Sequence, residues 1–217
     1  MTRLHPQTPP PPPPANFAVV PPRLATSYGG TYSSLIVNGK SSCRYQVTLS
    51  ARLLSGGGLP VGGRITGLAL RLAAGANPDL RFPSAKAVYR TFTVWMGAAT
   101  RKPSDMTRAF DNNMVASSRT LVHLARPFTL EAGAFQTGGG WYWINFSSGG
   151  YKYTGGDLVV EIVLSELVSG APKPVPFDAY PSGPDAAAAY APVYKATSAT
   201  GPATRDVLAM LLPYTTK

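Results

Sequence analysis

Apolar and polar residues alternate with a period of two over much of the chain, which predicts strands rather than helices. In residues 44–53, Tyr45, Val47, Leu49, Ala51 and Leu53 share one face. Arg44, Gln46, Thr48, Ser50 and Arg52 share the other, the pattern of a half-buried antiparallel strand. Residues 157–167 repeat it, with Leu158, Val160, Ile162 and Leu164 predicted to point inward and Glu161 and Ser165 outward. Residues 64–72, 88–96, 119–128 and 141–146 read as further strands, and 31–37 as a shorter one. Glycine clusters such as Gly56-Gly57-Gly58, Gly138-Gly139-Gly140 and Gly155-Gly156 bracket these runs and permit the positive φ of tight turns. Strands in this number and at this spacing predict an all-β chain, an antiparallel β-sandwich of jelly-roll-like form.

The two ends break the pattern. Pro9, Pro10, Pro11, Pro12, Pro13 and Pro14 form an unbroken run, which lacks ladder donors and favours an extended polyproline II rod. With Pro21 and Pro22 it makes residues 1–24 an expected arm outside the core. Residues 25–169 then form the sandwich, and 170–217 a Pro/Ala-rich excursion with a helical turn at 185–190 and a return to the body at 206–212. No internal repeat is visible.

A length of 217 residues suits one such domain with tails. Charged residues make up 14% of the chain, against about 25% in ordinary soluble domains. A surface covered instead by Ser, Thr, Gly, Asn and Tyr suits dry packing against neighbours. The formal charge of +10 invites a nucleic-acid reading, but the 20 basic residues are scattered, and Arg101-Lys102 is the nearest thing to a cluster. Weak, non-specific nucleic-acid binding is the expectation. No stretch is apolar and long enough to span a membrane, and residues 1–6 run into proline without the apolar segment of a secretory signal.

Three pieces carry a resemblance. Residues 64–72, Arg-Ile-Thr-Gly-Leu-Ala-Leu-Arg-Leu, are followed by Thr93-Val94-Trp95 leading to Phe110-Asp111-Asn112-Asn113-Met114, and then by residues 153–162, Tyr-Thr-Gly-Gly-Asp-Leu-Val-Val-Glu-Ile. In this order they resemble a poorly characterised group of bacterial β-sandwich proteins, usually exported and often surface-bound, over residues 28–168. The resemblance implies a jelly-roll-like fold and a non-enzymatic role, and brings no catalytic residue. The chain departs from the group in lacking a signal and a C-terminal sorting helix.

Candidate chemistry is sparse. His5 and His123 are the only histidines, too few for a multi-histidine metal site, and His123 reads as a core or interface residue beside Leu121 and Ala125. Glu161 and Glu166 are five apart on a predicted strand and so face opposite ways. Asp111-Asn112-Asn113 reads as an Asx-rich turn before a calcium loop, and Cys43 as a small buried hydrophobe. The glycine loops lack the Gly-Lys-Ser/Thr ending of a phosphate cradle. No cofactor is called for. The aromatic group says more: Trp141 and Trp143 share one strand face, and Tyr151 and Tyr153 follow after a glycine turn. Such rings either are covered inside the sandwich, anchor an interface or stack on sugars.

These features predict a structural subunit of a large assembly, with a virion shell, decoration, tail or spike protein foremost. Its partners would be copies of itself and neighbouring shell proteins, engaged through the proline run and the low-charge surface. A carbohydrate-binding surface module and a coat protein touching packaged nucleic acid are the alternatives.

Overall fold

Residues 16–34, 37, 42–74, 76, 82–135, 140–170, 173–200 and 206–216 are described by the structure, a computed structural model. Eight principal strands carry it: β1 (Phe17–Val20), β2 (Cys43–Leu49), β3 (Gly67–Arg71), β4 (Phe92–Ala98), β5 (Thr120–Ala125), β6 (Trp141–Asn145), β7 (Leu158–Leu164) and β8 (Met210–Thr215). Their antiparallel partnerships nest: β1 pairs with β8, β2 with β7, β3 with β6 and β4 with β5. That is the pairing of one long hairpin with its open end at the termini. Two further contacts, β7 with β4 and β8 with β3, roll the hairpin into two sheets. One sheet runs β1-β8-β3-β6, and the other β2-β7-β4-β5 with the strand Ala186–Ala191 added beside β2. Short three-stranded sheets close the ends, one of them joining Thr31–Ser33, Phe177–Tyr180 and Val207–Leu208.

The period-two pattern accounts for the interior. Tyr45, Val47 and Leu49 of β2 and Leu158, Val160, Ile162 and Leu164 of β7 are buried in one cluster with Leu68 and Leu70 of β3 and Ala18 and Val20 of β1. Val160 lies level with Val47 on one side and Met96 on the other, so apolar side chains meet across three strands.

Several expectations need correction. The run predicted as a strand over 44–53 stops at Leu49, and Ala51–Gly56 forms a short helix. Ser50 Oγ accepts the Leu53 amide at 3.1 Å and Asp157 Oδ1 accepts the Ala51 amide at 2.8 Å, so two side chains satisfy the donors that start the helix. Residues expected to face solvent do not: Arg44, Gln46, Thr48 and Glu161 are all buried, because the loop carrying Met106 and Phe110 packs over that face. Residues 185–190, expected as a helical turn in a surface excursion, belong mostly to that strand, whose alanines are small enough to be buried on both faces.

The proline run lies outside the described residues, but the boundary drawn at residue 24 is displaced. Asn16 turns at a φ of 73°, and from Phe17 onward the chain is core. Ala18 and Val20 are fully buried where β1 pairs with β8, and Leu24, in the turn that follows, is fully buried as well. Leu24→Ala should therefore lower stability by about 2–5 kcal/mol, as buried leucine truncations do. Urea denaturation checks this, and a loss under about 0.5 kcal/mol, typical of surface substitutions, would return residue 24 to an arm.

Candidate functional site

β6 aligns its aromatic residues against β3, with Trp141 opposite Arg71 and Trp143 opposite Ala69. Alternation sends them to different fates. Ile144 is buried and Tyr142 partly so, with its ring centroid 4.6 Å from that of Phe135 inside the sandwich. On the other face Trp143 is 39% exposed, its ring 5.1 Å from that of Phe17. Trp141 is partly buried over the Arg71 guanidinium at 4.8 Å. Tyr151 and Tyr153 do not extend this row. Both are buried, and the Tyr153 hydroxyl donates to the Gly156 carbonyl at 2.7 Å. Of the four rings singled out from the sequence, Trp143 alone is mainly at the surface, so they form no continuous stacking platform.

Arg71 organises what lies beside them. Its guanidinium lies over both the Trp141 ring and the Tyr28 ring, at 4.6 Å from the latter. Nε donates to Asp178 Oδ2 at 2.8 Å, Nη2 lies 2.7 Å from the same oxygen, and both side chains are almost wholly buried. Asp178 Oδ1 accepts the Gly29 amide at 2.8 Å. Gly29 is required there, because a β-carbon would sit 1.9 Å from the Ala179 carbonyl oxygen. Desolvation pushes the Asp178 carboxyl up, opposed by the Gly29 amide and Arg71. Asp178 backs a surface cleft of about 620 Å³ whose walls include Tyr28, Tyr32, Phe82, Pro174 and Pro176. Neither the cleft nor the Arg71–Asp178 pair was visible from sequence, because they join positions separated by 107 residues. The one available signal was an arginine inside the apolar run 68–72.

A second polar centre lies on the far face of the β2–β7 sheet. Glu161 Oε2 accepts from Arg44 Nε at 3.1 Å, Arg44 Nη2 at 2.8 Å and Gln46 Nε2 at 2.9 Å. Its Oε1 accepts from Arg119 Nη2 at 2.8 Å. Asn113 donates to Gln46 Oε1 at 2.9 Å, and Asp111 Oδ1 accepts from Arg44 at 3.0 Å. The Asp111-Asn112-Asn113 turn is thus a structural clasp, with Asn113 taken up by protein partners. Glu166 stands apart and exposed, paired with Arg90 at 2.6 Å, which with desolvation opposed holds its carboxyl below the usual range. Among the described residues no three His, Cys, Asp or Glu side chains are placed to share a metal ion.

Cys43 is fully buried at the start of β2, and burial pushes its thiol up to about 12. His123 packs edge-on to Phe92 with ring centroids 5.5 Å apart, and its buried Nδ1 has no hydrogen-bond partner. Desolvation holds its pKa below the ordinary 6.5, against a hydrogen bond with the Asn145 backbone. Compared with known protein families, curated proteins and solved structures, the chain has no match in any of the three.

Two predictions follow from these environments. Glu161→Ala would leave Arg44, with a side chain only 10% exposed, without its buried carboxylate. The expected cost is about 3–5 kcal/mol, and Arg44→Ala combined with it should cost well below the sum of the two single changes; additive losses in chemical denaturation would contradict the clasp. For His123 the folded state binds its proton less readily than the unfolded chain. Stability is then full above about pH 6.5 and falls as pH drops from there through the lowered folded value. The decline in melting temperature between pH 7.5 and 5.5 should be smaller in His123→Gln than in the parent, and an unchanged decline would show that other groups set it.

Proposed function

We propose that the chain is a non-enzymatic structural subunit of a large assembly, a jelly-roll shell protein of a virion that binds copies of itself and neighbouring shell proteins. The nested pairing β1–β8, β2–β7, β3–β6 and β4–β5 carries this reading. Eight strands rolled in this way are the architecture of many capsid subunits, though lectin domains and cupins share it. Assembly is favoured over a lectin by the fate of the rings, since Tyr151 and Tyr153 are spent on the interior and Trp143 stands beside Phe17, where the chain enters the sandwich.

Charge supports the same choice over a nucleic-acid device. Arg44, Arg52, Arg71, Lys86, Arg90 and Arg119 each hold a carboxylate, so part of the basic excess is neutralised locally. Lys152 lies directly opposite Arg64 between short strands at the rim, a pairing of like charges that welcomes an anion but makes no continuous track. Contacts with packaged nucleic acid would accordingly be weak and salt-sensitive.

Sedimentation velocity with electron microscopy tests the reading. The purified chain, alone or with a partner shell protein, should form closed particles, rings or a decorated lattice. Trp143→Ala should weaken that association while leaving the melting temperature within a few degrees. A chain that stays monomeric on every shell surface offered, or a Trp143→Ala variant that unfolds, would count against the proposal and against this placement of Trp143 respectively.

A further inference from the structure

The cleft beside Arg71 has walls of a particular chemistry. Tyr28, Tyr32 and Phe82 supply aromatic faces, Pro174 and Pro176 add apolar ones, and Tyr32 is 67% exposed. Asp178 is the one charged residue in its lining among the described residues, and that carboxylate is already held by Arg71 and the Gly29 amide. A cleft neutralised in this way favours an uncharged occupant. Hydroxyl-bearing residues line it as well, Tyr28, Tyr32 and Ser34 among them, and burial raises the Tyr28 phenol, keeping its proton in place. Thr31 Oγ1 is buried without a hydrogen-bond partner.

Aromatic walls with hydroxyl donors are the features by which proteins take up polyproline II segments. Such a segment has bare carbonyl acceptors, few N–H groups and little conformational entropy left to lose. The chain carries one: residues 6–14, Pro-Gln-Thr followed by six prolines, bear no charge. As a polyproline II rod the six prolines would extend about 19 Å.

Geometry selects which molecule supplies it. Phe17 lies opposite Pro213, and Pro213 packs on Gly67, so the chain enters the sandwich at the Gly67 end of β3. The cleft lies past the other end of β3, at Ala73 and Ala74. Six strand residues separate those levels by roughly 20 Å. Three residues link Pro14 to Phe17 and span at most about 11 Å, so Pro14 falls short of the cleft of its own molecule; the far end of the run alone can reach it, and a second copy is needed to seat residues 9–14 whole. We propose that the cleft receives residues 9–14 of a second copy of the chain, giving the subunits an exchanged arm. This rests on the assembly reading above and names the contact that would serve it.

Two measurements on the full-length chain test it. A fluorescent peptide of residues 5–15 should bind the chain when added in excess, and Tyr32→Ala should weaken that binding at least about tenfold, as loss of an exposed aromatic anchor does. Because Tyr32 is largely exposed, the variant should melt like the parent. Unaltered binding by Tyr32→Ala, or no binding by the parent, overturns the cleft as a proline site. In the second, chains carrying Pro11→Cys and Ala73→Cys, the latter a small residue of the cleft lining, are made unlabelled and 15N-labelled, mixed in equal amounts and cross-linked with a short bismaleimide. Peptides joining positions 11 and 73 should pair the two labels in about half of cases, as random exchange between copies requires. Same-label pairs alone overturn the second copy as donor, and the absence of this cross-link in assembled material overturns the contact. Double-cysteine chains that assemble without the cross-link leave the shell reading standing and sink only this one. Peptide binding by chains that never assemble would separate the two failures in the other direction.

Discussion

A carboxylate in the middle of a central strand has to be answered from several directions at once, and Glu161 sets that requirement here. It is 1% exposed on β7, where an ion without partners would cost several kcal/mol. Arg44 and Gln46 answer it from β2, and Arg119 from just before β5. Those partners in turn bind the covering loop: Arg44 reaches Asp111 and lies 4.6 Å over the Phe110 ring, and Gln46 meets the Phe110 carbonyl and Asn113. Met106 and Phe110 are thereby held down on Ala187, Ala189 and Ala191, forming a second, smaller core outside the sandwich. Burial of this sheet on both faces therefore depends on one anionic residue having enough donors nearby. The network fixes where the loop lies more than it adds net stability, since hydrophobic residues of similar volume can replace buried ion pairs at little cost.

This also explains what the sequence could and could not disclose. Period two depends only on neighbouring residues, so the inward faces of β2 and β7 were legible, and with them the all-β class. Polar residues on the opposite face read as solvent-facing, because local pattern cannot distinguish water from a loop bringing Asn113 and Asp111 across 67 residues. Alanine misled for a related reason. Its small side chain fits a strand packed on both faces as readily as a helix, and the tertiary position of Ala186–Ala191 beside β2 overrode propensity. Prolines at 21 and 22 similarly suggested an arm, whereas the segment before them is short, apolar and paired with the last strand.

Arg71 and Asp178 solve the same problem elsewhere in the fold, with a different consequence. Here the neutralised carboxylate of Asp178 lines a cleft rather than attaching a loop. Neither partner could be recognised in advance, since an arginine within an apolar strand and an aspartate in a proline-rich stretch become meaningful only once β3 and the strand Phe177–Tyr180 are brought together. The aromatic residues were noticed for their size, but alternation decided which of them remained available.

The sheet edges limit how such a fold can associate. An exposed edge strand invites pairing with another chain, yet β5 is partly closed by its own neighbours. Ser147 Oγ accepts the Leu124 amide at 3.0 Å, Ser148 Oγ donates to the Leu121 carbonyl at 2.8 Å, and the Ser148 amide reaches the Val122 carbonyl at 3.3 Å. On the other sheet the Val19 amide of β1 is bonded to the Gly57 carbonyl at 3.2 Å, and the short helix stands against that edge. With these backbone groups taken, extending either sheet from β5 or β1 would first require breaking internal bonds. At these two edges association is then left to side chains and to segments that need few backbone donors. A proline run meets that condition, because it contributes carbonyls and apolar rings without asking a neighbouring sheet to open.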